Sequence, residues 1–521
     1  MKSKRVILLI IDGWGWGEKN ISNPFRLAKT PSLDYFKKDY PFCLLSASGY
    51  SVGLSPNEPA SCEVGHMTIG IGRAFFTILT KINLSIENGV FFKNEVLVQA
   101  IRHCQKYKSR LHLVGLLSGQ NQIADTNHLI ALLELAKNLN FNNVYIHFFT
   151  DGIDSPPKSA LDLIENFENI KKNKNLPGEI ATLCGRFYAL DKTGDYYLKT
   201  QQAFLLLIEG KGKLVSDIRE VFKEKYASSN FNDSILEPTV IVPDAKIKDN
   251  DAVIFFHHET KSIFQLANSF LNPDFKEFPR PQRKNIYFAS FTKYLPEVDY
   301  PVAFVEEEIE TSLSKVIAEN NLKQFKLIDE TRKDLLTFYF NGLMHKENSG
   351  EIIKILPPFA NDRESLDERT KEFFSYLKMA VQEKDFDFIV GSLPTLDIVG
   401  HLGDMSLGIY FIETLDRFLK EFYQISFENN YALILTSDHG NIEKMIELKK
   451  GQKETLHNPS PVPFFLIDKA YQKTKSQEEI YFFERKTMGS LSDIAPTILD
   501  LMAIKIPRSF TGKSLLKYFK R

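Results

Sequence analysis

An α/β fold in two domains is what this sequence predicts, and three observations predict it. The chain has 521 residues, long for one hydrophobic core, so two domains is the default. Short apolar runs alternate with helix-like stretches along it, the pattern of strands joined by crossover helices. One such run, residues 431–435, leads directly into Thr436-Ser437-Asp438-His439-Gly440-Asn441. That puts a carboxylate and an imidazole just past the end of a buried strand, where open α/β sheets gather ligands.

Composition narrows the class. The chain is 43% hydrophobic and 25% charged, with 65 basic and 66 acidic residues and a formal net charge of −1. Such a balance gives no electrostatic case for nucleic acid or an acidic membrane surface. The basic start, Met1-Lys2-Ser3-Lys4-Arg5, precedes an apolar run at residues 6–11 that stops at Asp12 with no cleavage pattern. It reads as a first strand rather than a signal peptide. No apolar stretch has spanning length. The four cysteines, Cys43, Cys62, Cys104 and Cys184, show no paired spacing and fit a reducing cytoplasm.

Taken in order, the first strand ends in Asp12-Gly13-Trp14-Gly15. Asp12 is placed to hold a cation, although alone it reads more readily as an Asp-Gly turn. Residues 23–40 read as helical, with Thr30-Pro31 as a start signal. The small residues around Ala60-Ser61-Cys62-Glu63-Val64-Gly65-His66 suggest a tight elbow into a helix. Cys62 would sit at the helix N-terminus, where the dipole activates a nucleophile; its bland alternative is a small buried hydrophobe. Strand-like runs follow at 111–117, 144–149, 179–183 and 252–256, with helical stretches at 126–138, 160–172 and 196–209 between them. Arg186 follows the third of these runs and could grip an anion, or make an ordinary surface ion pair.

The last third returns to the same order. A strand at 387–390 precedes Asp397 and His401, four apart and so on one helix face. They read equally as a chelating pair or as partners of each other. His457 lies on a loop ahead of a short strand at 463–467. Together Asp12, Asp397, His401, Asp438, His439 and His457 follow apparent strands. Mixed carboxylate and imidazole ligands suit Mn²⁺ or Zn²⁺, and six are enough for two ions. Two adjacent metals clamp the attacking and leaving oxygens of a displacement at phosphorus.

The chain resembles the cofactor-independent phosphoglycerate mutases of the alkaline phosphatase superfamily. The resemblance runs nearly end to end, through Ile11-Asp12-Gly13, Glu63-Val64-Gly65-His66, Ile69-Gly70-Ile71-Gly72-Arg73, Asp397 to His401, Ser437 to Asn441, and Asp493-Ile494-Ala495-Pro496-Thr497. It implies an alkaline-phosphatase-like domain split in sequence, 1–76 with 306–521, around an inserted α/β substrate-binding domain, 77–305. It implies that Asp12, Asp438 and His439 bind one metal with the nucleophile, and that Asp397, His401 and His457 bind the other. A small phosphorylated substrate, a monomer and a cytoplasmic location are implied likewise. The inherited reaction is conversion of 3-phosphoglycerate to 2-phosphoglycerate in glycolysis.

Several positions depart from the family's pattern. Its nucleophilic serine is here Cys62, a residue that could instead be a tight metal ligand favouring zinc. Its acid/base histidine falls at Ile123, with Asp125 and His128 nearby. Its Arg-Asp pair becomes Ile153-Asp154. Arg186 survives, but its partner is Lys192. Two phosphate-gripping arginines become Glu259 and Ser262, and a family lysine falls at Lys333, with Arg332 one residue earlier. A lost acid/base costs about 10²–10⁴ in rate. Each lost charged hydrogen bond to phosphate removes about 1.5–3 kcal/mol. The expectation is therefore a surviving metal centre with weak or lost mutase activity. The alternatives are a hydrolase of another phosphate ester or diester and a non-catalytic metal-binding protein.

Overall fold

The computed structural model describes residues 4–519, except 57–58, 121–122, 191–196, 282, 306–307 and 450. It is a mixed α/β structure with two large sheets. The chain divides into two compact units, Met1–Thr77 with Glu308–Arg521, and Ile78–Glu307.

The first unit is built on an eight-stranded sheet. Its central strand is Arg5–Ile11, fully buried from Val6 onward. It pairs in parallel with Phe388–Leu393 on one side and Tyr431–Thr436 on the other. Alternation of side chains splits this strand between two cores. Ile7, Leu9 and Ile11 pack with Phe373, Leu415 and Leu433, while Val6, Leu8 and Ile10 pack with Ile69, Ile434 and Ile498. A strand covered on both faces needs a continuous apolar run, which residues 6–11 supply. The parallel register brings three strand ends to one edge, and the segments after them carry Asp12 and Asp438-His439 on loops and Asp397 on a short helix.

The helix expected over 23–40 is shorter in the structure. A 3-10 turn, Pro24–Arg26, is followed by the helix Pro31–Asp39. Pro31 takes the first helical position, where its missing N–H costs nothing, so it starts the helix rather than continuing one.

The second unit holds a seven-stranded sheet with Val144–Thr150 at its centre. That strand pairs in parallel with Leu111–Leu117 and Glu179–Gly185. The strand ends here lead to Ser118, Asp151 and Arg186. Among the described residues, no helix is long and apolar enough to cross a membrane.

Candidate metal centre

Close backbone packing draws the loops of the first unit together. Gly13 has φ +74°, and a Cβ there would stand 2.8 Å from the Asp397 backbone. A Cβ on Gly65 would meet the Asp438 carbonyl at 2.5 Å. Only glycine allows both approaches. The backbone N–H groups of Trp14 and Gly15 donate to Ser437 Oγ (2.9 Å) and Glu443 Oε2 (3.0 Å), fixing one loop against the other.

Cys62 is the first residue of the helix Cys62–Ile71, as an elbow requires, and Ser61 is its N-cap. Ser61 Oγ accepts from the Val64 N–H and donates to Glu63 at 2.5 Å, so it is committed to the cap. Cys62 Sγ instead reaches inward, 3.0 Å from His439 Nε2 and 3.6 Å from Asp12 Oδ1. His439 Nε2 is also 3.2 Å from Asp12 Oδ1 and 3.7 Å from Asp438 Oδ2. One ligand atom each from Asp12, Cys62, Asp438 and His439 lies within 4.8 Å of all the others.

A second group adjoins the first. Asp397 and His401 share one face of the helix Thr395–Leu402, and His457 comes in from its loop. Their ligand atoms too lie within 4.8 Å of one another. His401 Nδ1 bonds the Thr455 carbonyl at 2.7 Å, and His457 Nδ1 bonds the Ala60 carbonyl at 2.8 Å. A carbonyl only accepts, so each Nδ1 carries the proton and each Nε2 keeps its lone pair. Those two Nε2 atoms face each other at 3.1 Å, each 3.4 Å from an Asp397 oxygen. Two lone pairs and a carboxylate converging on one point fit a cation, and carbonyl-anchored imidazoles are how metal ligands are oriented. The first group has its own opening for a cation. Asp438 Oδ2 is buried with no hydrogen-bond donor aligned on it, although His66 Nδ1 is 3.1 Å away.

The electrostatics agree. Burial, then the Asp438 charge, push the Asp12 carboxyl up. Burial and the Asp12 charge push the Cys62 thiol up as well. Burial acts the same way on Asp438, but His439 and His66 outweigh it and hold this carboxyl below its usual range. Burial opposes charge on His439, and Asp438 with Asp12 overcomes it, so the imidazole rises well above its ordinary value. Asp12 and Cys62, buried and crowded by neighbouring carboxylates, are thus pushed up, while positive charge from the surrounding imidazoles and a guanidinium overcomes burial and holds Asp438 and Asp397 down.

One residue supplies part of that charge. The Arg332 guanidinium bridges the two groups, donating to Asp12 and, at 2.7 Å, to Asp397 Oδ2, with Cys62 Sγ 3.7 Å away. Lys333, the site residue chosen from the sequence, is not brought to the cluster. Its side chain is 47% exposed and pairs with Glu330 at 2.9 Å. The two residues are adjacent on a single turn after the strand Gln324–Asp329, so a shift of one position turns the side chain away. Asn441 is a further member that sequence reasoning passed over: its Nδ2 donates to Asp397 Oδ1 at 2.8 Å.

In the second unit, Arg186 is buried and donates to Asp151 Oδ1 (2.6 Å) and Asp154 Oδ2 (2.7 Å). The structure thus joins Asp154 and Arg186, but with the guanidinium already held by two carboxylates. Lys192 lies outside the described residues. Ile123 is buried in the core of this unit. Its suggested stand-ins serve structure. Asp125 caps the helix Thr126–Asn138, and His128 is fully buried with Nε2 2.8 Å from Asn83 Oδ1. Glu259 accepts from the Lys261 and Ser262 N–H groups and from the Ser262 hydroxyl, closing its loop on itself.

Comparison with known proteins agrees with this architecture. Residues 82–296 match the family described as BPG-independent PGAM N-terminus, and residues 276–455 match type I phosphodiesterase / nucleotide pyrophosphatase. A 2,3-bisphosphoglycerate-independent phosphoglycerate mutase from Moorella thermoacetica is 35% identical, with 99% of this chain and 98% of that protein covered. Its counterpart from Clostridium novyi is 34% identical, with 99% and 100% covered. The crystal structure of Leishmania mexicana phosphoglycerate mutase at low cobalt concentration shares the fold, with a TM-score of 0.51 and 21% identity over 98% of each chain. This chain belongs to the family of 2,3-bisphosphoglycerate-independent phosphoglycerate mutases.

Proposed function

We propose that the protein is a two-metal phosphoryl-transfer enzyme whose inherited reaction is the interconversion of 3- and 2-phosphoglycerate, with weak mutase activity. The observation that carries this reading is the pair of facing Nε2 atoms of His401 and His457 beside Asp397, next to the Asp12, Cys62, Asp438 and His439 group. Asp12, Cys62, Asp438 and His439 would hold one Mn²⁺ or Zn²⁺ ion, and Asp397, His401 and His457 the other. When bound, such ions neutralise charge developing on a transferring phosphoryl group.

The chain's own residues account for the weakness. Cys62 stands at the family's nucleophile position with its sulfur among metal-ligand atoms, and a thiolate there favours holding zinc over accepting phosphate. Ser61 cannot replace it, because its hydroxyl caps the helix. A mutase must also keep its dephosphorylated glycerate bound until the phosphoryl group returns. Arg186 is the one site arginine left in the second unit and is already shared by Asp151 and Asp154, while Glu259 replaces an arginine outright. Poor retention favours transfer to water, so hydrolysis of a phosphate ester is the second reading.

A small phosphorylated metabolite is the proposed partner. The protein is proposed to act as a cytoplasmic monomer; the free, buried Cys43, Cys104 and Cys184 suit a reducing compartment. Phosphorus NMR of the Mn²⁺-loaded protein with 3-phosphoglycerate tests the reading. A slowly growing 2-phosphoglycerate signal supports the mutase, and inorganic phosphate supports the hydrolase. An unchanged spectrum with this and a panel of other phosphate esters would overturn both.

A further inference from the structure

The first unit contains a cavity of about 250 Å³ that the metal cluster does not use. Four aromatic rings lie in its walls, beside charged and polar groups. Trp14 is stacked between Phe25 (centroids 5.3 Å apart, planes at 14°) and Phe465 (6.0 Å, 20°), and Trp16 and Leu33 complete the apolar surface. Flat rings accept another ring by offset or edge contact.

The charges around the cavity do not cancel. Lys19 and Lys37 both reach Glu484, at 2.8 and 2.9 Å, and Lys37 is also 3.2 Å from Asp34. Arg26 is the fifth charged lining residue. It is exposed and makes no ion pair or side-chain hydrogen bond among the described residues. The lining therefore carries one uncompensated positive charge. Two other lining residues carry uncommitted donors. Thr30 opens the helix Pro31–Asp39 without its hydroxyl capping it. The Trp14 Nε1–H is buried with no acceptor.

We propose that this cavity binds a small planar aromatic carboxylate, its ring against the partly exposed Phe25 and Trp16 and its carboxylate on Arg26 and Thr30. The volume lies below the ~300–1,000 Å³ of sites for larger ligands, so a single ring with one carboxylate is the fitting size. An arginine fork suits a carboxylate better than any other common anion except phosphate, and the aromatic wall favours the ring-bearing one.

The chain's two tryptophans both line this cavity, so intrinsic fluorescence reports on it directly. The full-length protein is titrated with benzoate and, separately, with its neutral analogue benzamide. Saturable quenching by benzoate is expected, with half-saturation on the order of 1 mM or tighter. Benzamide and the Arg26→Glu variant should each weaken it at least tenfold. Arg26 is exposed, so its replacement leaves the fold intact, which an unchanged thermal midpoint confirms. Quenching that is linear and equal in both proteins would overturn the proposal. So would saturable quenching that survives Arg26→Glu, or benzamide binding as tightly as benzoate.

Discussion

The histidines of the two units respond to burial in opposite ways. In the first unit, His439 is fully buried yet its proton affinity is raised well above normal, because Asp438 and Asp12 lie beside it. In the second unit, burial wins. It pushes His128 and His257 down to about 3, with His258 adding to the effect in each case. His112 and His147 form a buried row with Asp251 and Thr182. His112 Nε2 is 3.1 Å from Asp251 Oδ2, its Nδ1 is 2.9 Å from His147 Nε2, and His147 Nδ1 is 2.8 Å from Thr182 Oγ1. Donors and acceptors in this row balance when both rings are neutral. Burial lowers His112 despite Asp251, and it lowers His147 further, with His112 adding to the effect. The lesson is that depth does not set the direction of the shift; the number of carboxylates within reach does.

The largest expected effect breaks the first unit's arrangement at its shared carboxylate. Asp397→Ala removes the oxygens that face His401, His457 and Arg332, and should reduce bound metal from two ions per chain to one. Elemental analysis after dialysis checks it; two tightly retained ions would refute the assignment. Arg332→Ala leaves Asp12 and Asp397 facing each other without their bridge. It should destabilise the chelator-treated protein by roughly 1–3 kcal/mol and the metal-loaded protein by less. Denaturant melts in the two states measure the difference, and an equal loss in both would count against charge compensation.

The second unit should respond to acid with the opposite sign from a carboxylate-held histidine. A histidine whose folded value is depressed is neutral in the native state, so its contribution is full above the unfolded value near 6.5. That contribution is lost as pH falls from there toward the folded value, about 3 for His128, at roughly 1.4 kcal/mol per pH unit per group. Hydrogen-exchange protection in residues 78–307, corrected for the intrinsic exchange rate at each pH, should therefore fall between pH 7 and 5. His128→Gln keeps a donor for Asn83 but cannot titrate, and should lower the pH slope by one proton. An unchanged slope would show that His128 is already charged in the native state. The smallest effect sharpens the choice between neighbours: Lys333→Ala should leave metal content unchanged and stability within about 0.5 kcal/mol.

Much of the first unit was legible because its chemistry sits in short motifs at strand ends, where local pattern and function coincide. Asp12, Asp438-His439 and the Asp397/His401 spacing could be read from the order of apolar runs and polar breaks. The choice between Arg332 and Lys333 could not, since both are basic and only the phase of one turn decides which points inward. The row of Asp251, His112, His147 and Thr182 has no signature in the local sequence. Its members lie in or next to different strands, and what joins them is pairing between strands, which leaves no local trace. The helix expected over 23–40 was shortened for a local reason, as Pro31 opens a new helix at the point where the earlier turn has ended.

The place of the first strand in its sheet has a consequence for how the chain comes to be folded in the cell. Arg5–Ile11 is made before both of its neighbours, and Phe388–Leu393 and Tyr431–Thr436 follow more than 370 residues later. At about 5–20 residues per second, this segment, apolar from Val6 onward, waits roughly 20–80 s for its partners. Residues 78–307, the second unit, are made during that interval. The nascent chain thus carries this strand unpaired throughout that interval, and residues 6–11 are exposed to a ribosome-associated chaperone or to aggregation until their partners are made.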